Sequence, residues 1–429
     1  MRAPAIAAVL ALASTARADA PKPILGARVE GHSKLTPDTA LHLAHVEVGD
    51  PITPAQIPQL EAALMSSELF KSAHVTLEEE PDGVIMVATL DDKMSWIAAP
   101  TLYVLPSNWA IGVGYAENNL FGQNRKVLLY GQLGNHTSMF FGTYLIPYVR
   151  GTPLQLRFDV YLLDHDIDEY TNPPGDPTDF SIERTSTEHF LDAAALVGWQ
   201  FNWWFLVDAR LRGAYVYFNN VKGGPRPEAN GRDITLQTHI TADARHHLFG
   251  VTWGPYLGFI AESSLPGLDT YGYQLFQARA YYSWKLFGMH ELELRTYQNI
   301  GRHLPFHEEL TNGGVADLRG YNVDQFRGDV RSTYRVEYSV PLAHWSIFAF
   351  RALAFWDGAY DGFHFQDLDG TRNYLPTQAP GSHWWRDDVG AGFRVYVKNV
   401  VLPLVGLDFG YGIEGKSPEI YFEVGLTDF

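Results

Sequence analysis

The chain of 429 residues contains no cysteine. Disulfides and thiolate metal sites are therefore excluded, and stability must come from the way the backbone closes on itself. Long hydrophobic runs are missing too. Beyond the N-terminus no stretch approaches the roughly 18 consecutive apolar residues of a membrane helix. Positive charge is in short supply. With 32 Lys and Arg against 49 Asp and Glu, the formal net charge is −17. This argues against nucleic acid as a partner, because neutralising phosphates takes clustered cations. The acidity reads most simply as solvated loops.

Aromatic residues, by contrast, are plentiful: 23 Tyr, 25 Phe and 11 Trp make up 14% of the chain. Such content suits the aromatic girdles that mark two membrane interfaces. From about residue 95 the sequence breaks into sixteen short segments of alternating polarity. Long polar connections follow odd-numbered segments, and the connections after even-numbered ones are short. One rim of loops and one rim of tight turns is the asymmetry of an outer-membrane barrel. With no membrane helix, a barrel is the remaining way to span a bilayer, since every backbone polar group must be paired within the structure. The expected fold class is therefore mainly β: a 16-stranded antiparallel transmembrane β-barrel over residues 95–429. Alternation also assigns faces. Arg331, Thr333, Arg335 and Glu337 share one face and Tyr334, Val336, Tyr338 and Val340 the other. Charges on the lipid face would cost about 2–4 kcal/mol each at the midplane, so the charged row points into the lumen. The same reasoning turns Arg351 and Asp357 inward and Phe348, Phe350 and Trp356 outward.

The first 20 residues read as a signal peptide. Arg2 is the positive end, Ala5 to Ala13 the apolar core, and Ala18-Asp19-Ala20 a small-x-small cleavage site. Residues 23–93 read as one small α+β domain. Ile24 to Gly31 suits a strand. Thr36-Pro37 and Thr53-Pro54 each place an N-cap before a proline at the first helical position. Ile57, Leu60, Ala63 and Leu64 recur at helical spacing. Ala73 to Glu78 and Val84 to Leu90 alternate around the turn signal Pro81-Asp82-Gly83. The predicted order is strand, helix, helix, strand, strand.

The connection after the eleventh segment differs in chemistry from an ordinary surface loop. It contains Gly313-Gly314, then Leu318-Arg319-Gly320-Tyr321, then Phe326-Arg327-Gly328-Asp329. Glycines for sharp turns and an arginine among apolar residues suggest a loop folded back into the lumen. A buried guanidinium requires carboxylate partners, and its planar fork suits bidentate pairing. Glu337 and Asp357, both lumen-facing on the next two segments, are the expected partners.

These residues carry a resemblance. Leu318-Arg319-Gly320-Tyr321 is similar to the loop motif of the BamA/TamA-like outer-membrane assembly barrels, also called bacterial surface antigen barrels. Glu337-Tyr338-Ser339-Val340-Pro341-Leu342 on the following strand and Phe355-Trp356-Asp357-Gly358 resemble the family's inner-wall motifs. Gly114-Tyr115-Ala116-Glu117-Asn118-Asn119-Leu120-Phe121-Gly122 resembles its early strand-turn signature. The 23–93 segment resembles a single POTRA domain, through Gly31, Val48-Gly49-Asp50 and Leu69 to Val75. The resemblance implies a periplasmic POTRA domain and a barrel in the cell outer membrane. It implies a factor that assists insertion of outer-membrane proteins through a seam between first and last strands. On this reading Trp96 and Pro100 line the seam, and Phe422, Gly425 and Phe429 belong to an aromatic-terminated last-strand signal, although Phe429 is out of phase with Phe422. Expected partners are unfolded outer-membrane or secreted protein clients, outer-membrane lipids and accessory periplasmic proteins. The alternative is a polypeptide secretion channel or passive pore gated by the loop 311–329.

Other candidates are weaker. His246-His247 are adjacent and point to opposite faces, short of the three or four convergent ligands a metal needs. Asp164, Asp166, Asp168 and Glu169 read as an acidic loop, better solvated than metal-binding. Asp367-Leu368-Asp369-Gly370 lacks the distal Glu of a calcium loop. Gly112-Val113-Gly114 lies in a strand rather than a phosphate loop. No Ser, His and Asp fall together. The expectation is no enzyme, no metal and no cofactor.

Overall fold

The computed structural model describes residues 20–67, 69–105, 108–149, 152–171, 176, 178–248, 250–365, 371–397 and 403–425. The expected leader up to residue 19, the tetrad 367–370 and Phe429 lie outside the described residues. The chain forms two compact units. One is made by the chain up to Ser95 together with Phe121–Gln123, the other by Trp96–Leu120 and the chain from Asn124 onward.

The first unit runs β1 (Lys22–His32), α1 (Pro37–Leu43), a two-residue β2 (Pro51–Ile52), α2 (Ile57–Ser66), β3 (Phe70–Glu80) and β4 (Gly83–Asp92). Pro37 opens α1 behind an extended Thr36, where its fixed φ and missing N–H do no harm. Thr53-Pro54 starts a short 3₁₀ turn at 54–56 that leads into α2, and the Thr53 N–H donates to Gln56 Oε1 at 2.9 Å. Glu80 and Gly83 pair across the two-residue turn Pro81-Asp82. The sheet order is β2-β1-β4-β3, with β1 parallel and β3 antiparallel to β4. Leu60 and Leu64, one helical turn apart, lock α2 onto a core with Ile24, Phe70, Val75 and Met86. β3 is an edge strand of this sheet.

The second unit is a closed antiparallel barrel of sixteen staves. In order they are Trp96–Val104, Trp109–Leu120, Arg125–Gly134, Thr137–Ile146, Leu154–Tyr170, Ile182–Asn202, Phe205–Lys222, Gly231–Asp243, Val251–Ser264, Gln274–Lys285, Glu291–Arg302, Val330–Trp345, Phe348–Gly362, His383–Val397, Pro403–Gly412 and Pro418–Val424. The eighth stave is continued beyond a break by His246–Leu248, which pairs with the ninth. Loop parity holds. The longest connections, 303–329 and 363–382, follow the eleventh and thirteenth staves, whereas 203–204 and 346–347 follow the sixth and twelfth.

Side chains alternate as the pattern requires. Tyr334 and Tyr338 are 39% and 38% exposed on the outer wall, while Thr333 and Arg335, on either side of Tyr334, are 2% and 9% exposed. Trp199, Phe201, Trp203 and Trp204 gather, exposed, at the short-turn rim, as an interfacial girdle does.

One expectation is overturned. Asp164, Asp166, Asp168 and Glu169 do not form a loop. The fifth stave continues to Tyr170, and Glu169 stands opposite Arg184 in the ladder. The fifth to seventh staves have 17, 21 and 18 residues, against the roughly 9–11 that cross a bilayer. The excess rises beyond the apolar band. There a strand tolerates charges on both faces, so acidity alone did not mark its end.

Leu294, 40% exposed on the outer wall, and Gln277 on the lumen wall test the assignment. Leu294→Arg is expected to lower the unfolding free energy in lipid by about 2–4 kcal/mol, and Gln277→Arg by much less. Denaturant titration of tryptophan fluorescence in liposomes measures both.

Candidate functional site

Connection 303–329 builds the site. Its short strands Leu310–Asn312 and Phe326–Gly328 pair with each other, and the chain between them reverses sharply. Gly313 and Gly314 have φ of 120° and 98°, in the left-handed region where a side chain is strained. A Cβ at Gly313 would overlap the Asn322 carbonyl. The loop is thereby turned inward. Leu318 and Tyr321 are buried with Phe326 and Ala359 of the thirteenth stave.

Arg319 at the tip is fully buried. Its Nε donates to Asp357 Oδ2 at 2.7 Å and its Nη2 to Asp357 Oδ1 at 3.0 Å. Nη1 donates to Glu337 Oε2 at 2.9 Å and lies 3.7 Å from Asp408 Oδ2. The guanidinium carbon sits 3.3 Å from the centroid of the Phe355 ring, so the cation also meets a π face. Both carboxylates named from the sequence thus converge on the arginine. Two neighbours reinforce the grip. Arg335 bridges Asp357 Oδ1 (3.1 Å) and the Val315 carbonyl (2.9 Å). Arg331 donates to Asp317 Oδ1 (3.0 Å) and the Thr311 carbonyl (2.6 Å).

Several partners were not identified from the sequence. Gly320 N–H donates to Asp388 Oδ2 at 2.8 Å, Tyr321 Oη to Glu414 Oε2 at 2.7 Å, and Tyr421 Oη to the Tyr321 carbonyl. A Cβ at Gly410 would overlap the Arg319 carbonyl, and one at Gly412 would crowd Gly320 O and the Tyr321 ring. Side-chain alternation could have marked Asp388 and Asp408 as lumen-facing. That the two glycines form a track for another segment's backbone has no local signal.

The predicted seam residues occupy a different place. Pro100 stands opposite Val113 on the first stave, and Phe422 opposite Val104 across the seam. Trp96 is half exposed. Gly425, at φ 105°, could not carry a Cβ without meeting Thr101.

A second ionic network ties the long-loop rim together. Arg184 Nη2 donates to Glu169 Oε2 (2.8 Å), Arg372 Nε to Glu309 Oε1 (2.7 Å), and Gln378 Nε2 to Glu169 Oε2 (3.0 Å). His307 lies between Glu228 and Asp233, at 2.5 and 3.2 Å. Burial alone would push this imidazole down, but the two carboxylates outweigh it and hold His307 well above its ordinary range. Among the described residues, Asp233, His307 and Glu308 bring ligand atoms within 4.8 Å of one another. The Arg212 guanidinium already bonds Asp233, Glu262 (3.1 Å) and Glu308 (2.7 Å), so positive charge is supplied there by a side chain. His246 is exposed, its ring stacked on Trp253 and tilted against Trp203.

A closed sixteen-stave barrel with an arginine-tipped loop folded onto its inner wall defines a class of membrane protein. The Omp85 superfamily domain matches residues 119–427, and the chain belongs to that superfamily. Solved structures agree in fold. The chain is similar to BamA from Haemophilus ducreyi lacking POTRA domains 1–3, at 12% identity and TM-score 0.65, covering 93% of this chain and 83% of that one. It is similar to CdiB from Acinetobacter baumannii at 13% identity and TM-score 0.63, covering 94% and 74%. CdiB from Escherichia coli matches at 13% identity and TM-score 0.64, covering 93% and 76%. No curated protein sequence matches the chain.

Arg319→Ala removes the hydrogen bond to Glu337 and leaves Asp357 only its bond from Arg335, and breaking a buried ion pair costs about 3–5 kcal/mol. Arg331→Ala, at the partly solvated flank of the loop, removes about 1.5–3 kcal/mol of charge-assisted hydrogen bonding. Heat-modifiable gel mobility is expected to rank them in that order. Equal transition temperatures would show that the tip arginine is not special.

Proposed function

We propose that this chain is an outer-membrane protein that assists insertion and assembly of other outer-membrane barrels. The observation that carries the reading is the seam. Among the described residues, the first and sixteenth staves share three residue pairs, Phe422 with Val104, Glu423 with Tyr103 and Val424 with Leu102. The first and second staves share nine, from Trp96–Glu117 to Val104–Trp109. A closed barrel has no edge to offer, and unpaired backbone is costly in lipid. Opening the wall at this junction breaks ladder hydrogen bonds that a client strand could replace. Pro100 lacks an N–H and so weakens the first stave further.

In this reading the first unit is a single POTRA domain in the periplasm. Its strand and helix order supports that, and β3 offers an edge to which an extended client adds by backbone hydrogen bonds. Arg319 with Glu337 and Asp357 acts as the lock that keeps the wall in shape. The partners are unfolded client proteins, membrane lipids and accessory periplasmic proteins, and the protein acts without catalysis. The inward position of residues 311–329 favours a second reading, a secretion channel or pore gated by that loop.

Depletion of the protein tests the first reading. Outer-membrane levels of other barrels, measured by heat-modifiability, should fall several-fold. Unchanged levels, together with bilayer conductance that rises when residues 313–328 are deleted, would sink the assembly role and favour the channel.

A further inference from the structure

Among the described residues the sixteenth stave spans Pro418–Val424. Its described contact with the first stave is brief, yet its lumen side is firmly held. Tyr421 is 1% exposed, and its Oη donates to the Tyr321 carbonyl of the in-folded loop. Tyr321 in turn reaches the hairpin between the last two staves, through Oη to Glu414 at 2.7 Å. The glycine track at Gly410 and Gly412 lets the loop backbone lie directly against the fifteenth stave. Tyr321 is thus gripped by the last hairpin, while two residues earlier Arg319 is gripped by the twelfth and thirteenth staves.

The Tyr421 hydroxyl is the informative group. Phenylalanine would fill the same buried space without a polar atom to satisfy, and burying an unbonded hydroxyl is unfavourable. The hydroxyl bonds the arginine loop rather than a neighbouring stave. We propose that Tyr421 is a positioning residue that latches the seam-forming stave to the arginine loop, coupling the state of the loop to opening of the seam. The inference rests on the seam reading above but needs no particular client. When the sixteenth stave swings away, the Tyr421–Tyr321 bond breaks or the loop tip is drawn from the wall. Conversely, a loop that leaves the wall releases the last stave.

Hydrogen–deuterium exchange of the full chain in liposomes tests this, read on peptides covering Leu102–Val104. Loss of one buried hydrogen bond, about 1 kcal/mol, corresponds to roughly five-fold more frequent opening. Tyr421→Phe should accelerate seam exchange by that factor. Tyr281→Phe is the control. It removes an interior hydroxyl that bonds Tyr297 at 2.6 Å on the tenth and eleventh staves, and it should leave the seam unchanged. Because the chain has no cysteine, a Leu102→Cys/Val424→Cys pair can be oxidised without competing thiols to clamp the seam. The clamp should abolish the effect of Tyr421→Phe. Three outcomes would overturn the latch: no acceleration in Tyr421→Phe, equal acceleration in Tyr281→Phe, or acceleration that survives the clamp. Failure of the depletion experiment would remove the assembly role and leave this result standing, because exchange is measured without client.

Discussion

A charged guanidinium enclosed by a barrel wall is the constraint around which the site is organised. Arg319 cannot be buried alone, since an unpaired interior charge costs more than any packing around it returns. Each feature of the site answers that requirement. Asp357 takes two of its N–H groups, Glu337 a third, and Phe355 covers its face. Carboxylates fixed on rigid strands specify where the loop must lie, and the glycines at 313 and 314 allow the chain to get there. The result is long-range order from a segment with almost no secondary structure of its own.

In the proposed reading the same loop connects two parts of the barrel that differ in strength. The fifth to seventh staves share extended ladders, running from Trp199–Leu154 to Ile182–Tyr170 on one side and from Asn202–Phe205 to Thr185–Lys222 on the other. Across the seam the described ladder is three pairs. Local opening concentrates where hydrogen bonds and packing are fewest, and the proposed reading puts that line at the seam. The loop tip lies on the C-terminal side of this weak line, bonded to Asp388, Glu414 and Tyr421. A lock against the wall and a short seam beside it form one mechanical system in the proposed reading.

The acidic composition acquires a second meaning in the folded protein. Much of the negative charge at the long-loop rim is not solvated. Glu169, Glu228, Asp233 and Glu309 are buried and paired with Arg184, His307, Arg212 and Arg372. Residues far apart in sequence, such as Gln378 and Glu169, meet there. Buried ionic networks contribute modestly to stability but demand one arrangement of partners, which suits loops that must hold a defined shape above the barrel.

Much of the architecture followed from local pattern. Alternation located the sixteen staves and their inward faces, because a period of two is imposed residue by residue. The helices of the first unit followed from proline and apolar spacing. Arg319, Glu337 and Asp357 could be grouped because a buried cation demands acids and alternation showed which ones face the lumen. Where local pattern ended, so did legibility. Asp164, Asp166, Asp168 and Glu169 read as a loop because charge resembles a loop wherever a strand leaves the apolar band. Asp388, Glu414 and Tyr421 were missed because each meets the loop across 68 to 100 residues of chain. Local pattern carries the periodicities, the inward and outward faces and the need for a counter-charge. The folded ring alone settles which acid answers which base and where glycine lets one backbone rest on another. Those are properties of register and closure, and register is settled by the whole ring of staves at once.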